Sequence, residues 1–583
     1  MRRPDRVTLA VLTVTLLALL ARAVGLGARP FHWDEARVGY WTLRSLAVGA
    51  YEYRPVAGGP FLYIVGRWLF TAVGAGDAVA RAIVALIGGL LPLSALLFRA
   101  GGLRPGEDRE PCGSDTGTDT DATQYSVNSA FDSALRRRST PGLTGVETVS
   151  LSVILGFAPP LLYYSRVFRA DLPLAALGFV AFGFFHRARA RGTRRLFYAG
   201  ALAFGLGLTT SGFALAMIAC WLVAALLVFD EGRVRGDSAG VILGRVRRVG
   251  RTLSAWTAPV LRATLLAIGV VLVFYVPRGV IDFARPRTLL SALEAGSLGA
   301  GNRFLAVLVL GRHAPPTHMN GHPLLPFVGG TLETLLATAL PVVALALWGF
   351  VRERYGGRSR PAVSFGTYWA GIGLLVFPAV TEVNEPWVAV HILVPMALPA
   401  AVGLATVWRY GREHFARGDA MRVATALLLL SATGVHAGAV VAGEVYDDPD
   451  ARDDLPGFAQ PEAELRPAMA AATTTMEGND GTDVLYVGER FLLKDESVLE
   501  RPPVPEESRD AFSARLPLSW YVERAEGETA SVASPDAVPE DPPPVVVTTP
   551  RHAPALSERF EAYQRYRVTL GLTDRTVVVY IAE

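Results

Sequence analysis

The feature that most constrains this chain is a series of eleven apolar stretches, each long enough to cross a lipid bilayer. A transmembrane helix needs about 20 predominantly apolar residues. The mean hydropathy of +0.32 and the 51% hydrophobic content of the 583 residues are typical of a membrane protein that crosses the bilayer many times. The predicted spans are residues 7–28, 78–99, 143–163, 172–187, 195–210, 212–229, 261–278, 326–350, 363–380, 387–408 and 421–442.

The arginines indicate how the chain is oriented in the membrane. Short cytoplasmic loops carry an excess of positive charge, and a basic hexapeptide, residues 1–6, precedes the first span. Arginine clusters then recur in alternate loops, at residues 187–195, 233–251, 352–360 and 409–422. This pattern predicts a multi-pass protein of the plasma membrane with a cytoplasmic N-terminus. Eleven crossings place the C-terminal region outside.

Two shorter apolar pieces, residues 40–48 and 60–74, lie in the first outer loop, which spans residues 29–76. Two further spans here would leave almost no outer loop, so we expect shorter helices that lie at the outer membrane interface. Their aromatic residues would be interfacial anchors or ordinary core residues, two alternatives that the sequence leaves open: Trp41, Tyr51, Tyr53, Tyr63 and Trp68.

The remaining chain divides by composition. Residues 104–142 are polar and of low complexity, which predicts a disordered cytoplasmic insertion within a membrane domain that covers residues 1–442. Residues 443–583 are strongly acidic and contain three apolar runs typical of buried strands, at 483–488, 544–549 and 575–580. We therefore expect a small extracellular α/β domain. Its acidity, together with a single lysine, Lys494, suggests adaptation to high salt, as in halophilic archaea.

The first outer loop begins with the sequence Phe-His-Trp-Asp-Glu-Ala-Arg at residues 31–37. It places two adjacent carboxylates, Asp34 and Glu35, and the cation Arg37 directly after an apolar span. Charged groups at a membrane surface are costly unless they are paired or functional. This motif is therefore the first candidate for chemistry, although its carboxylates could instead cap an interfacial helix.

An aspartate–glutamate pair in the first outer loop of a many-span protein, followed by interfacial helices, resembles the GT-C membrane glycosyltransferases. The resemblance is greatest to protein O-mannosyltransferases and aminoarabinose transferases, and among them to haloarchaeal flippase activity-associated proteins. It covers about residues 1–442 and is expected to extend into the tail. The stretches that carry it are 31–41, 51–63 (YEYRPVAGGPFLY), 163–174 (YYSRVFRADLPL) and 385–399 (EPWVAVHILVPMALP).

This resemblance implies transfer of a sugar from a polyprenyl-phosphate donor such as dolichyl phosphate. Asp34, with Glu35, would be catalytic, because a carboxylate can take the proton of the acceptor. The donor phosphate would be bound by arginines, whose planar fork matches phosphate oxygens, or by a divalent metal. The expected phosphate ligands are Arg166, Arg169 and Arg37, and the expected supporting residues are Asp171, Tyr53, Arg54, Glu385 and Trp387. Pairing of Arg166, Arg169 and Asp171 with one another is the simpler alternative.

A long outer segment, residues 279–325, carries His313, His318 and His322, which could bind an acceptor or a metal ion. Imidazoles in loops are more often plain surface groups. The expected partners are a polyprenyl-phosphate sugar, the bilayer and other proteins of glycosylation or flipping. No nucleic acid is expected.

Two functional hypotheses remain open. The first is a glycosyltransferase that transfers a sugar to a lipid-linked glycan or a surface acceptor in protein glycosylation. The second is a non-catalytic protein that binds a lipid-linked glycan and assists its flipping. Asp34 and Glu35 favour the first. The second is favoured by glycines at 58–59 and by Thr-Ser-Gly-Phe at 210–213, where relatives often have a histidine and a Lys–Glu pair.

Overall fold

The computed structural model describes residues 4–51, 58–100, 142–234, 256–276, 324–356, 359–381, 383–447, 454–455, 460–500, 504–571 and 575–583. The helices of the N-terminal part are α1 (Arg6–Ala23), α2 (Trp33–Ala47), α3 (Pro60–Val73), α4 (Asp77–Leu90), α5 (Ala95–Phe98), α6 (Gly145–Phe157), α7 (Pro159–Tyr164), α8 (Asp171–Arg191), α9 (Arg194–Leu208), α10 (Ala214–Val234), α11 (Thr257–Tyr275), α12 (Leu324–Tyr355), α13 (Pro361–Val380), α14 (Val388–Ala416) and α15 (Ala420–Val440).

Every predicted span coincides with helix in the structure. Among the described residues, eight helical stretches are long and apolar enough to cross a membrane. The other three predicted spans coincide with shorter or more polar helices: α6 and α7, which Pro159 separates, α8, and α9. The prediction of an α-helical multi-pass membrane protein is thus confirmed. The orientation of the termini stays a prediction.

The membrane helices pack around α14. This helix has 89% of its most apolar stretch buried inside the protein, whereas the corresponding fraction of α15 is 6%. The exposed leucines of α15 are what a surface facing lipid requires. In α12, Pro341 cannot donate a backbone hydrogen bond, and Ala339 just before it leaves the helical conformation.

Many of the described residues in the predicted outer loop, residues 29–76, are buried. Of the aromatic residues predicted there as interfacial anchors, Trp41 of α2 is only 2% exposed, and Tyr51 and Tyr63 are also buried. These three are core residues, so the core alternative is correct for them. Trp68 of α3 is 54% exposed and remains a suitable interfacial anchor.

The C-terminal region forms one five-stranded sheet with helices packed beside it. Its strands are β1 (Val484–Val487), β2 (Thr529–Val532), β3 (Val545–Thr548), β4 (Tyr563–Thr569) and β5 (Thr576–Ala582), and its helices are α16 (Leu465–Met476), α17 (Glu506–Arg515), α18 (Leu518–Arg524) and α19 (Ala553–Leu556). The strand order is β2-β1-β3-β5-β4. The first three strands in this order are parallel, and β5 is antiparallel to both of its neighbours.

The sheet agrees with the sequence in part. The three strands predicted from apolar runs are β1, β3 and β5, which form the middle of the sheet. The predicted insertion at 104–142 and nearly all of the outer segment 279–325 lie outside the described residues.

Candidate active site at the start of helix α2

Helix α2 begins with a pair of reciprocal caps. The Nδ1 atom of His32 accepts a hydrogen bond from the backbone N–H of Asp34 (3.1 Å), and Glu35 Oε2 accepts one from the backbone N–H of His32 (2.9 Å). These bonds satisfy donors that a helix N-terminus otherwise leaves unpaired. Burial lowers the pKa of His32 to about 4, so its ring is neutral at physiological pH.

Glu35 is an internal anchor of the fold. Its side chain is 0% exposed, and Oε2 forms an ion pair of 2.6 Å with Arg81 of α4. Its Oε1 accepts bonds from Arg81 Nε (2.8 Å) and from the backbone N–H of Phe168 (2.5 Å). Both oxygens are therefore occupied by donors from three parts of the chain. Glu35 thus joins α2, α4 and the turn before α8, and its expected catalytic role stays a prediction.

Asp34 faces the other way and joins two arginines. Its Oδ1 accepts a hydrogen bond from Arg37 Nη2 (3.0 Å), and its Oδ2 is paired with Arg169 Nη1. Arg169 also donates through Nε to Asp171 Oδ2 (3.0 Å). The guanidinium carbon of Arg169 lies 3.7 Å from the ring centre of Trp387. The structure thus brings together five residues that the resemblance had singled out. We call them the Asp34–Arg169 cluster, which consists of Asp34, Arg37, Arg169, Asp171 and Trp387.

Electrostatics fix the charge state of Asp34. Burial raises its pKa, but the positive charges of Arg169 and Arg37 outweigh burial and lower the pKa to about 2. Asp34 is therefore ionised at physiological pH and is a weak proton acceptor. Its side chain is 15% exposed, in contrast to the closed environment of Glu35.

Arg166 has a different place from the one expected. Its guanidinium donates to carbonyl oxygens that follow the end of α1, including Val24 O (2.5 Å) and Gly25 O (3.2 Å), and stacks on Tyr446 at 4.7 Å. The last carbonyls of a helix lack partners within the helix, and a cation there is favourable. Arg166 is thus bonded to the end of α1, and its expected role as a ligand of the donor phosphate stays a prediction.

Glu385 lies in the turn between α13 and α14. It is 5% exposed, and its carboxyl group has no hydrogen bond or ion pair within the part of the chain that the structure describes. Burial raises its pKa to about 8, an effect that the positive charge of Arg169 reduces and the negative charge of Asp34 increases. The site thus contains two carboxyl groups whose pKa values differ widely.

An apolar cavity of about 520 Å³ lies between α1, α6, α7, α12, α14 and α15. Tyr446 is at one side of it, donates to Ala21 O (2.6 Å) and supports the guanidinium of Arg166. The residues that line the cavity are mostly aliphatic, with few polar groups such as Thr338 and His436. A space of this kind suits a hydrocarbon chain.

Several expected site residues cannot be placed. Tyr53, Arg54, His313, His318 and His322 lie outside the described residues. Within the described ranges, no group of three or more potential metal ligands occurs. Binding of a divalent metal and binding of an acceptor by the histidines therefore stay predictions.

The two stretches that depart from the family's pattern touch each other. The backbone N–H of Gly59 donates to Thr210 O (2.6 Å), and that of Phe61 donates to Thr209 O (3.0 Å). A Cβ atom at position 59 would collide with the carbonyl group of Thr209, so only glycine fits there. The start of α3 is thus joined directly to the end of α9.

Two residues of the site were not expected from the sequence. His391 of α14 extends the cluster, since its Nε2 lies 3.4 Å from Asp171 Oδ1 and its ring stacks on Phe377 at 4.3 Å. Arg81 of α4 neutralises Glu35. Both are ionisable residues within apolar helices, and this position alone is a signal of function or pairing.

Comparisons with known proteins agree with this architecture. The structure resembles ArnT from Cupriavidus metallidurans bound to undecaprenyl phosphate, with a TM-score of 0.52 and 16% identity over 98% of this chain and 97% of that one. It also resembles the apo state of ArnT from Cupriavidus metallidurans, with a TM-score of 0.53 and 15% identity over 98% of this chain and 97% of that one. The chain therefore has the GT-C fold of ArnT, as predicted.

The C-terminal region has its own match. Residues 465–582 match the family model of the Agl23 flippase-associated protein C-terminal domain. This segment contains the whole five-stranded sheet, and the match confirms the predicted resemblance to flippase-associated proteins. A comparison with curated proteins gives no match.

Proposed function

We propose that this protein is a membrane glycosyltransferase that transfers a sugar from a polyprenyl-phosphate donor to an acceptor on the outer face. One observation carries the proposal. Asp34 holds the guanidinium groups of Arg37 and Arg169 together at the start of α2, in a fold that resembles a solved structure of ArnT bound to undecaprenyl phosphate. Preorganised cations of this kind stabilise the charge of a departing phosphate.

Arg169 and Arg37 are the proposed ligands of the donor phosphate. Arg169 is held in one orientation by Asp34, Asp171 and the ring of Trp387. The Nε atom of Arg37 is buried and has no hydrogen-bond partner within the described residues, which is costly unless a ligand accepts a hydrogen bond from it. An incoming phosphate would supply that acceptor.

The apolar cavity beside α1 is the proposed site for part of the polyprenyl chain. It lies among membrane helices and ends near Tyr446 and Arg166, close to the end of α1. A lipid bound there would place its apolar chain between helices. The headgroup would remain at the level where α2 begins.

A second candidate function follows from the C-terminal match. The Agl23 flippase-associated domain favours a protein that binds a lipid-linked glycan and assists its flipping without transferring a sugar. The low pKa of Asp34 is compatible with this function, since a binding protein needs a fixed charge and no proton acceptor.

An experiment with purified protein in liposomes separates the two functions. The first assay follows transfer of radiolabelled hexose from polyprenyl phosphate to membrane acceptors, and the second follows access of a lipid-linked glycan to an outside enzyme probe. We expect transfer that depends on the protein. Accelerated flipping without any transfer would contradict the proposed transferase and support the second candidate.

A further inference from the structure

Glu385 is a buried carboxyl group of the site that has no hydrogen bond or ion pair with another described residue. Its neighbours come from three elements: Asp34 at the start of α2, Arg169 in the turn before α8, and Tyr164 in α7, all of which interact with it electrostatically. Trp387, two residues further on, carries the guanidinium of Arg169 on its ring. Glu385 thus lies beside the Asp34–Arg169 cluster, which contains the proposed phosphate ligands.

The other acidic groups at this place are occupied. Asp34 is bonded to two arginines, and Asp171 to Arg169 and His391. Tyr164 donates its hydroxyl proton to Leu455 O (2.7 Å). A carboxylate that is already bonded to an arginine gains little by taking a proton, so neither aspartate is a good proton acceptor.

We propose that Glu385 is the general base of the transfer reaction, an inference that rests on the proposed function. The acceptor oxygen forms a bond to the anomeric carbon, and the bond from that carbon to the phosphate oxygen breaks. The electron pair of that bond leaves with polyprenyl phosphate, beside Arg169 and Arg37. The proton of the acceptor hydroxyl moves to the carboxylate of Glu385 and returns to solvent after the product departs.

The charge state of Glu385 suits this task. Because burial raises its pKa to about 8, its conjugate acid forms readily near neutral pH, as an efficient general base requires. The base must be ionised before it accepts a proton. The ratio kcat/KM should therefore rise with pH, reach half of its maximum near pH 8 and level off about one pH unit higher.

The test compares the whole wild-type protein with Glu385→Gln and with the control Glu489→Gln, which removes an exposed carboxylate from the C-terminal domain. Transfer from a radiolabelled polyprenyl-phosphate hexose is measured between about pH 6 and about pH 10, which is about two units on either side of the pKa of Glu385. Binding of unlabelled polyprenyl phosphate is measured on the same samples. We expect Glu385→Gln to lower kcat by about 100-fold and to abolish the rise with pH, with lipid affinity unchanged.

A Glu385→Gln variant that keeps both the wild-type kcat and the rise with pH would overturn the assignment of Glu385 as the general base. It would leave the proposed transferase function intact. If that variant does not fold, Glu385→Asp decides, because it keeps a carboxylate that is set back by one methylene. It should retain the rise with pH at a reduced kcat, and a wild-type kcat or a flat profile would refute the proposal. Absence of transfer by the wild type itself would instead refute the proposed function.

Discussion

At the scale of single residues, two neighbouring carboxylates have opposite environments. Glu35 is enclosed and bonded to Arg81 and to two backbone N–H groups. Asp34 is partly open and organises two arginines. Adjacent residues near a helix start point in different directions, so one can serve the core while the other serves a ligand. The sequence alone shows only two adjacent acidic residues.

Glu35→Gln should destabilise the protein strongly. The substitution leaves Arg81 buried without its counter-charge, and breaking a buried ion pair in this way costs about 3–5 kcal/mol. Thermal unfolding in detergent measures the effect. Asp34→Asn is the matched control and should lower the melting temperature much less. Equal losses of stability in the two variants would show that Glu35 is no more important for the fold than Asp34.

Arg169→Lys should weaken binding of polyprenyl phosphate by about tenfold or more, because an ammonium group cannot replace a planar guanidinium that is stacked and bonded on two edges. Binding of labelled polyprenyl phosphate to the purified protein measures this loss. The control is Arg412→Lys, at an exposed position of α14. Unchanged lipid affinity in Arg169→Lys would remove Arg169 from the phosphate site.

At the scale of elements, helix α2 is held by the C-terminal domain. The ring of Trp520 in α18 stacks on Phe31 at 4.6 Å, and its Nε1 donates to Asp77 Oδ1 of α4 (2.8 Å). The hydroxyl of Tyr521 accepts a bond from the backbone N–H of Phe31 (2.9 Å). Contacts with the C-terminal domain therefore hold the segment that leads into the Asp34–Arg169 cluster.

Gly39→Ala tests this contact between α2 and α18. A Cβ atom at position 39 would lie 2.6 Å from Trp520 Cε3, so the tryptophan would have to move. Overpacking of this kind costs about 1–3 kcal/mol, and we expect lower thermal stability together with reduced transfer. The control is Gly371→Ala in α13, where a Cβ atom meets nothing within 4 Å. Equal behaviour of the two variants would argue against tight packing of α18 on α2.

The strands show which elements a sequence can reveal. The central strands β1, β3 and β5 are almost fully buried, so they have continuous apolar runs that predict them. The edge strand β2 is half-exposed along its length. The other edge strand, β4, contains exposed charged residues such as Arg565 and Arg567. They carry no such run, and their pairing depends on the neighbouring strands.

At the scale of the whole molecule, the membrane fold could be predicted because a bilayer leaves few alternatives. A membrane span satisfies its backbone groups as a helix, and all eleven predicted stretches coincide with helices, eight of which are long and apolar enough to cross a membrane among the described residues. The candidate site was predictable only in part. The motifs that resemble a known family contain Asp34, Arg169 and Trp387. The hydrogen bond from the backbone N–H of Phe168 to Glu35, in contrast, joins residues that only the packed fold brings together.

The central claim is that the Asp34–Arg169 cluster takes part in sugar transfer from a polyprenyl-phosphate donor. The most direct test supplies radiolabelled polyprenyl-phosphate hexose to membranes of a deletion strain that carries either the wild-type protein or Asp34→Asn. Asparagine cannot hold Arg37 and Arg169 by charge, so the account predicts transfer with the wild type and loss of transfer with the variant at equal protein levels. Full transfer by Asp34→Asn would contradict the account.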